Sequence, residues 1–178
     1  MRFAFTVQLI PHKDDTTNYV SDGKPGLNEN YGSLYAAKMD AFTSPIGLRV
    51  PCQAPPWGTI AGVDLRTGKT VWQHKNGTVR DLAPVPLPLN LGVSNIGGPI
   101  ATAGGVAFLS GTLDYFVRAC DVTNGEEIWR DRLPAGGQAT PMTYQGGDGR
   151  QYLLVVAGGY GSTNTKAGDP IIAYALPK

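Results

Sequence analysis

Gly62-Val63-Asp64-Leu65-Arg66-Thr67-Gly68-Lys69-Thr70-Val71-Trp72 and Ala119-Cys120-Asp121-Val122-Thr123-Asn124-Gly125-Glu126-Glu127-Ile128-Trp129 are two copies of one pattern, 57 residues apart. Asp, Gly, a β-branched residue and Trp coincide at a single offset. Recurrence of this kind marks a repeat architecture. Each copy reads as a strand, a four-residue turn and a second strand. Asp64 and Asp121 suit the turn entrance, where a short carboxylate accepts backbone N–H bonds. Gly68 and Gly125 supply the positive φ of a tight hairpin. Trp72 and Trp129 then fall on an outer strand, placed to pack on the neighbouring repeat. If either ring is fully buried, its truncation to Ala costs about 3–5 kcal/mol.

Working outward, the second copy sits in a four-stranded unit. Gly98–Ala103 reads as its inner strand, Val106–Gly111 as the next, Tyr115–Val122 as the third and Glu126–Leu133 as the outermost, with Gly104-Gly105 as the first turn. A third repeat pairs Thr140–Tyr144 with Gln151–Ala157 through Gly146-Gly147-Asp148-Gly149. Ile171–Leu176 follows after a Gly-rich excursion. No outermost strand for this repeat, and no donor carrying its Trp, is visible. Near the start, Phe3–Ile10 reads as one strand, and Pro11–Leu48 as a long insertion with little periodicity. Tyr19, Tyr31, Tyr35 and Phe42 favour an ordered excursion there over a disordered linker. Arg80–Asn95, with Pro84, Pro86 and Pro88, is a second insertion with an extended, polyproline-like path. The fold expected is all-β: a partial β-propeller of about three four-stranded blades. Residues 1–48 are a strand plus insertion, 49–95 a blade with a C-terminal insertion, 96–134 a blade, and 135–178 an incomplete final blade.

Composition agrees with that class. Gly (24) and Pro (14) make up about a fifth of 178 residues, above the usual ~12% and spread along the chain. A formal charge of +1 gives no electrostatic footprint for nucleic acid. No apolar run approaches the ~18 residues of a membrane span. Met1–Ile10 lacks a small-residue cleavage site and does not read as a signal peptide, which is compatible with a chain beginning inside a larger protein. Two cysteines form no disulfide framework or metal spacing. Cys120 lies in an apolar strand and reads as a small core residue, and Cys52 as a structural thiol in a loop. His12 and His74 have no metal-ligand spacing and read as surface residues. No Ser-His-Asp set, P-loop or dinucleotide fingerprint occurs.

The segments between the repeats carry a resemblance. Pro51-Cys52-Gln53-Ala54-Pro55-Pro56-Trp57-Gly58, Gly97–Gly104, Leu133-Pro134-Ala135-Gly136-Gly137-Gln138-Ala139-Thr140-Pro141-Met142-Thr143-Tyr144 and Asp169–Pro177 resemble the C-terminal part of membrane-bound quinoprotein (PQQ-dependent) glucose dehydrogenases. The likeness runs from about Phe42 to Lys178. Methanol- and alcohol-type quinoproteins share Gly111-Thr112-Leu113-Asp114 and Pro141-Met142-Thr143-Tyr144. The resemblance implies an eight-bladed, tryptophan-docked propeller with PQQ near its axis beside Ca²⁺ or Mg²⁺. An aspartate acts as base on a sugar, polyol or alcohol hydroxyl, a metal polarises the quinone, and electrons pass to ubiquinone. It implies the periplasmic face of a bacterial inner membrane. The family's base and main metal ligands lie in blades not recognisable here, so no catalytic or metal-binding residue is assigned. The remaining blades are the implied partners, and these residues alone are expected to be inactive and to self-associate through open blade edges. The alternative is a propeller built from the same repeats that binds proteins without a cofactor.

Four residues are candidates for cofactor binding. Tyr160, in Gly158-Gly159-Tyr160-Gly161, stands where glucose enzymes carry His near the substrate and where methanol-type relatives place a Trp close to PQQ. The departure from His leaves glucose and another polyol both open. Ile96 stands where methanol-type enzymes place a PQQ-contacting Trp, and would form an apolar wall. Asp114 matches an acidic residue that supports the pocket, against the simpler reading of a turn aspartate bonding its own backbone. Lys166 matches a lysine in the same C-terminal loop of the family and is a candidate to face the anionic cofactor, against the simpler reading of a solvated lysine. Trp57 either packs between blades or caps a ligand face.

Overall fold

A computed structural model describes residues 5–11, 27–28, 34–44, 51–82 and 86–176. The chain divides into two units, Phe3–Ala54 and Pro55–Lys178, the second taking in Met1–Arg2.

In the smaller unit, β1 (Phe5–Pro11), β2 (Leu27–Asn28) and β3 (Tyr35–Ala41) form an antiparallel sheet in the order β1-β3-β2. Phe5 lies opposite Ala41, and Pro11 opposite Tyr35. The β1 strand follows the sequence expectation. β3 does not: Tyr-Ala-Ala-Lys-Met-Asp-Ala has no β-branched residue and no alternation, so only pairing with β1 marks it as a strand. Thr43 bridges Pro51, and the Cys52 N–H donates to Phe42 O at 3.2 Å. His12, Tyr19 and Tyr31 lie outside the described residues.

The larger unit holds the repeats. β4 (Thr59–Asp64) and β5 (Lys69–Lys75) are a hairpin. β6 (Ile100–Ala101), β7 (Val106–Leu109), β8 (Phe116–Asp121) and β9 (Glu127–Arg132) form a four-stranded antiparallel meander. β10 (Met142–Gln145), β11 (Gln151–Val156) and β12 (Ile171–Ala175) form a three-stranded one. Chain order is spatial order in both, as the repeats imply. Inner strand β6 is shorter than the sequence suggests, because Gly97 adopts φ +98° and Pro99 has no N–H to donate. It resumes beyond that break, where the Ile96 N–H donates to Gly111 O at 3.1 Å and Asn95 bridges Thr112. The β4–β5 sheet has two strands among the described residues. Where further strands would lie, 76–79 and 89–93 pair irregularly through Val93 N to Asn76 O, Gly92 N to Gly77 O and Val79 N to Leu89 O. Pro86 and Pro88 cannot donate to a ladder, which keeps this insertion out of the sheet.

The motif turns behave as their residues dictate. The Asp64 and Asp121 carbonyls accept from the Gly68 and Gly125 N–H groups at 2.7 and 2.8 Å. Their carboxylates accept from the Arg66 and Thr123 N–H groups at 2.8 and 2.7 Å. These glycines take φ +68° and +76°. Trp72 lies opposite Gly62 and reaches into the next repeat, where its Nε1–H donates to Val122 O at 2.8 Å and its ring covers Gly125. His74 stacks on that ring and its Nε2 bonds Asn124 O at 2.8 Å. Trp129 meets Tyr174 edge to face at 5.1 Å.

Two apolar clusters fill the spaces between repeats. Val117, Leu133, Ala135, Leu153, Val155 and Ala157 form one, Trp57, Val79, Val93 and Leu113 the other. Trp57 is therefore a packing residue, 8% exposed. Cys120 is buried, which raises its thiol pKa, and Cys52 is exposed.

Connections between antiparallel neighbours alternate in direction. The turns at 65–68, 102–105, 122–126 and 146–149 therefore leave one end of their sheets. Segments 76–82, 86–99, 110–115, 133–141 and 157–170 lie at the other.

Candidate functional site

Ile96, Asp114, Tyr160 and Lys166 all fall in the segments of that second end. Hydrogen bonds stitch these segments together. Gly97 lies against the next repeat so closely that a Cβ there would sit 2.4 Å from Gln138 O. The Ser110 hydroxyl donates to Ala139 O at 2.9 Å, and the Gly98 N–H to Thr140 Oγ1 at 3.0 Å. Gly159 N–H donates to Gly136 O at 2.8 Å, and Gly136 N–H to Lys166 O at 3.2 Å. The Lys166 N–H donates to the Tyr115 hydroxyl at 2.9 Å. The mouth is thus continuous from 94–98 through 136–140 to 158–168.

Tyr160 and Lys166 share one loop, closed by Gly168 N–H to Gly158 O at 3.1 Å. The Tyr160 side is 49% exposed, the Lys166 side chain is exposed, and Ile96 is half-buried. Asp114 is placed differently. It is 0% exposed, and its carboxylate accepts four hydrogen bonds, from Thr78 N and Oγ1 and from Arg118 Nη1 and Nη2. Burial pushes its pKa up, but the Arg118 hydrogen bonds and charge, the Thr112 hydroxyl and the Thr78 N–H outweigh burial and hold it below the ordinary value. Arg118 is itself only 3% exposed, and its Nε donates to Glu127 Oε2 at 2.9 Å. The Asp114 carboxylate therefore lies beneath the mouth, joining two repeats.

Beside it, Tyr115 holds φ +56°, a conformation costly for a side-chain-bearing residue. Arg132 secures it: the guanidinium lies 5.7 Å from the Tyr115 ring centre, donates to Asp114 O at 3.2 Å, and pairs with Asp81 of the second insertion at 2.5 Å. A cleft of about 560 Å³ lies between repeats, lined among others by His74, Thr78, Arg118, Glu127 and Arg130, and none of the four candidates faces it.

A flat, anionic quinone cofactor needs a face to lie on and cationic or N–H donors for its carboxylates. The exposed Tyr160 ring, half-buried Ile96 and exposed Lys166 match that need in residue type and share one end of the sheets. The buried Gln138 Nε2 has no hydrogen-bond partner among the described residues. No group of three or more His, Cys, Asp or Glu that could hold a metal occurs among the described residues.

Sequence reasoning missed Arg118, Thr78, Tyr115, Arg132, Gln138 and Thr165. Arg118 had a signal: a lone cation inside the apolar run Phe116-Val117-Arg118-Ala119-Cys120 demands a buried anion. The others act through backbone-directed or cross-repeat bonds, and no spacing announces those.

Comparison with known proteins gives the following. Residues 1–153 match the PQQ family described as the glucose/ethanol/alcohol dehydrogenase β-propeller domain. Quinoprotein glucose dehydrogenase of Gluconobacter oxydans (strain 621H) is 50% identical over 95% of this chain and 22% of its own length. The Escherichia coli (strain K12) quinoprotein glucose dehydrogenase is 49% identical over 99% of this chain and 23% of its own. Quinate/shikimate dehydrogenase (quinone) of Acinetobacter baylyi is 38% identical over 100% of this chain and 23% of its own. Among solved structures, quinohemoprotein alcohol dehydrogenase from Comamonas testosteroni superposes with a TM-score of 0.53 at 20% identity, over 97% of this chain and 23% of that one, a likeness of fold. The chain thus spans under a quarter of the length of these relatives.

Proposed function

We propose, from the premise that this chain belongs to the PQQ β-propeller family of glucose, ethanol and alcohol dehydrogenases, that it supplies the C-terminal blades of a quinone-reducing dehydrogenase of sugars or polyols. The observation that carries the reading is the 50% identity to a quinoprotein glucose dehydrogenase across 95% of the chain. Identity is 38% to the quinate/shikimate enzyme and 39% to a glycerol dehydrogenase large subunit, so a sugar is the substrate class best supported, with a polyol next. PQQ, when bound with Ca²⁺ or Mg²⁺, supplies the acceptor for the hydride leaving the substrate carbon, with ubiquinone taking the electrons onward.

This chain's own residues bind and orient. Tyr160 offers an exposed ring and hydroxyl to substrate, in the place where glucose enzymes resembling this chain carry His. Lys166 offers a cation to carboxylates, and Ile96 an apolar wall. Asp114, sealed below, fixes the loop from which Tyr115 holds the Lys166 backbone. The proton-abstracting base belongs to other blades, and the whole enzyme to the periplasmic face of the inner membrane. No described helix is long and apolar enough to cross a membrane.

The test is the full-length protein reconstituted with PQQ and a divalent cation, assayed by dye reduction with glucose, other sugars, quinate, glycerol and ethanol. Sugar- or polyol-dependent reduction is the expected result, with none from the 178 residues alone. Dye reduction with ethanol only, or with none of these substrates, would sink the reading.

A further inference from the structure

Tyr160 is held by its backbone. Its N–H donates to Thr165 Oγ1 at 2.8 Å, and its carbonyl accepts from Thr163 Oγ1 at 3.0 Å. Thr165 hands this restraint to another part of the chain. A hydroxyl has one proton to give, and the shorter of its approaches is to Gln138 Oε1, at 2.9 Å, against 3.4 Å to Tyr160 O. Gln138 lies in the connection between β9 and β10 and is 7% exposed. Its Nε2 has no partner among the described residues, so the amide's orientation rests on the bond to its Oε1. Thr165 is what dictates it. Bare backbone makes room for the pair: a Cβ on Gly136 would sit 2.3 Å from Gln138 Oε1 and 2.7 Å from Thr165 Oγ1. The loop is pinned again where Gly136 and Gly159 bond and where Tyr115 accepts from Lys166 N. Around the Tyr160 backbone everything is tied, while its side chain is left half exposed.

We propose that Thr165 and Gln138 are positioning residues that preset Tyr160 for a polyhydroxylated substrate, so that the pair sets substrate affinity without touching substrate. This rests on the reading of Tyr160 as substrate-facing. Presetting lowers the ordering cost of binding, and its loss appears in KM rather than in kcat.

The experiment uses the full-length enzyme loaded with PQQ and a divalent cation, with its best sugar or polyol. Thr165→Val is expected to raise KM about fivefold, the effect of one lost hydrogen bond, with kcat little changed. Thr165→Ser, which keeps the hydroxyl, restores KM. Gln138→Leu reproduces the Thr165→Val result and carries the test if that variant does not fold. Tyr160→Ala raises KM, and Tyr160→Ala with Thr165→Val is no worse than Tyr160→Ala alone, because the two act through one group. Independently of turnover, amide exchange across 157–168 speeds up about tenfold in Thr165→Val and not in Thr165→Ser. If Tyr160→Ala moves KM but Thr165→Val and Gln138→Leu do not, or if the effects multiply, the positioning role is overturned and the site reading survives. If Tyr160→Ala leaves KM unchanged, the site reading falls and takes this inference with it.

Discussion

Asp114 and Arg118 form an ion pair with both side chains almost wholly buried, 0% and 4% exposed. Such a pair is tolerable only with its hydrogen bonds filled, and removing one partner strands the other charge. Asp114→Asn should therefore destabilise the fold by about 3 kcal/mol or more, read as a lower denaturant midpoint. The pH dependence has a definite sign. Asp114's folded pKa lies below its ordinary value of 3.8, so its contribution is complete above that value and is lost as pH falls through the lowered one. The wild-type protein should lose stability below about pH 4 more steeply than the Asn variant. Equal acid limbs would contradict this. At this scale the sequence was half legible. Asp114 could be singled out from Gly-Thr-Leu-Asp, but Thr78, 36 residues away, bonds its carboxylate and had no mark of its own.

The docking of one repeat on the next concentrates at Trp72 and Gly125. The ring lies between two bare glycine faces: a Cβ on Gly62 would sit 2.4 Å from Nε1, and one on Gly125 2.3 Å from Cε3. Trp72→Ala should cost about 2–4 kcal/mol, below the fully buried figure because the ring is only partly buried. Gly125→Ala should cost about 1–3 kcal/mol, from both the positive φ and the clash. In thermal unfolding the double variant should fall short of the sum, since removing the ring removes the clash. Strict additivity would show that the two do not meet. Repeats of this kind were legible because a turn and a cross-strand ring are local features. β3 was not, because its strand character comes only from pairing with β1. Across 51–82 and 86–95, β4 and β5 form the sheet among the described residues, and Pro86 and Pro88 lie in the insertion the sequence marks at Arg80–Asn95. Trp129 packs on Tyr174 rather than on a second Asp-x-x-x-Gly turn, and Ala173-Tyr174-Ala175 has Ala where the other two copies have Asp.

Over the whole molecule, β12 pairs with β11 and with no other strand among the described residues. Its outer edge carries no partner strand among the described residues, and Ile171 on it is 68% exposed. The 178-residue polypeptide should self-associate in sedimentation velocity, and Ile171→Lys should shift it toward monomer. A monomer at all concentrations would exclude edge pairing. The alternation of connections has one more consequence. At the end away from Tyr160, a side chain added at Gly147 would meet nothing within 4 Å and needs no left-handed backbone. That hairpin tip can take a fluorophore, an affinity handle or a surface linker while the opposite end is left intact. A quinoprotein of this kind could be oriented on an electrode by its indifferent end, with the loop that carries Tyr160 and Lys166 turned to solution.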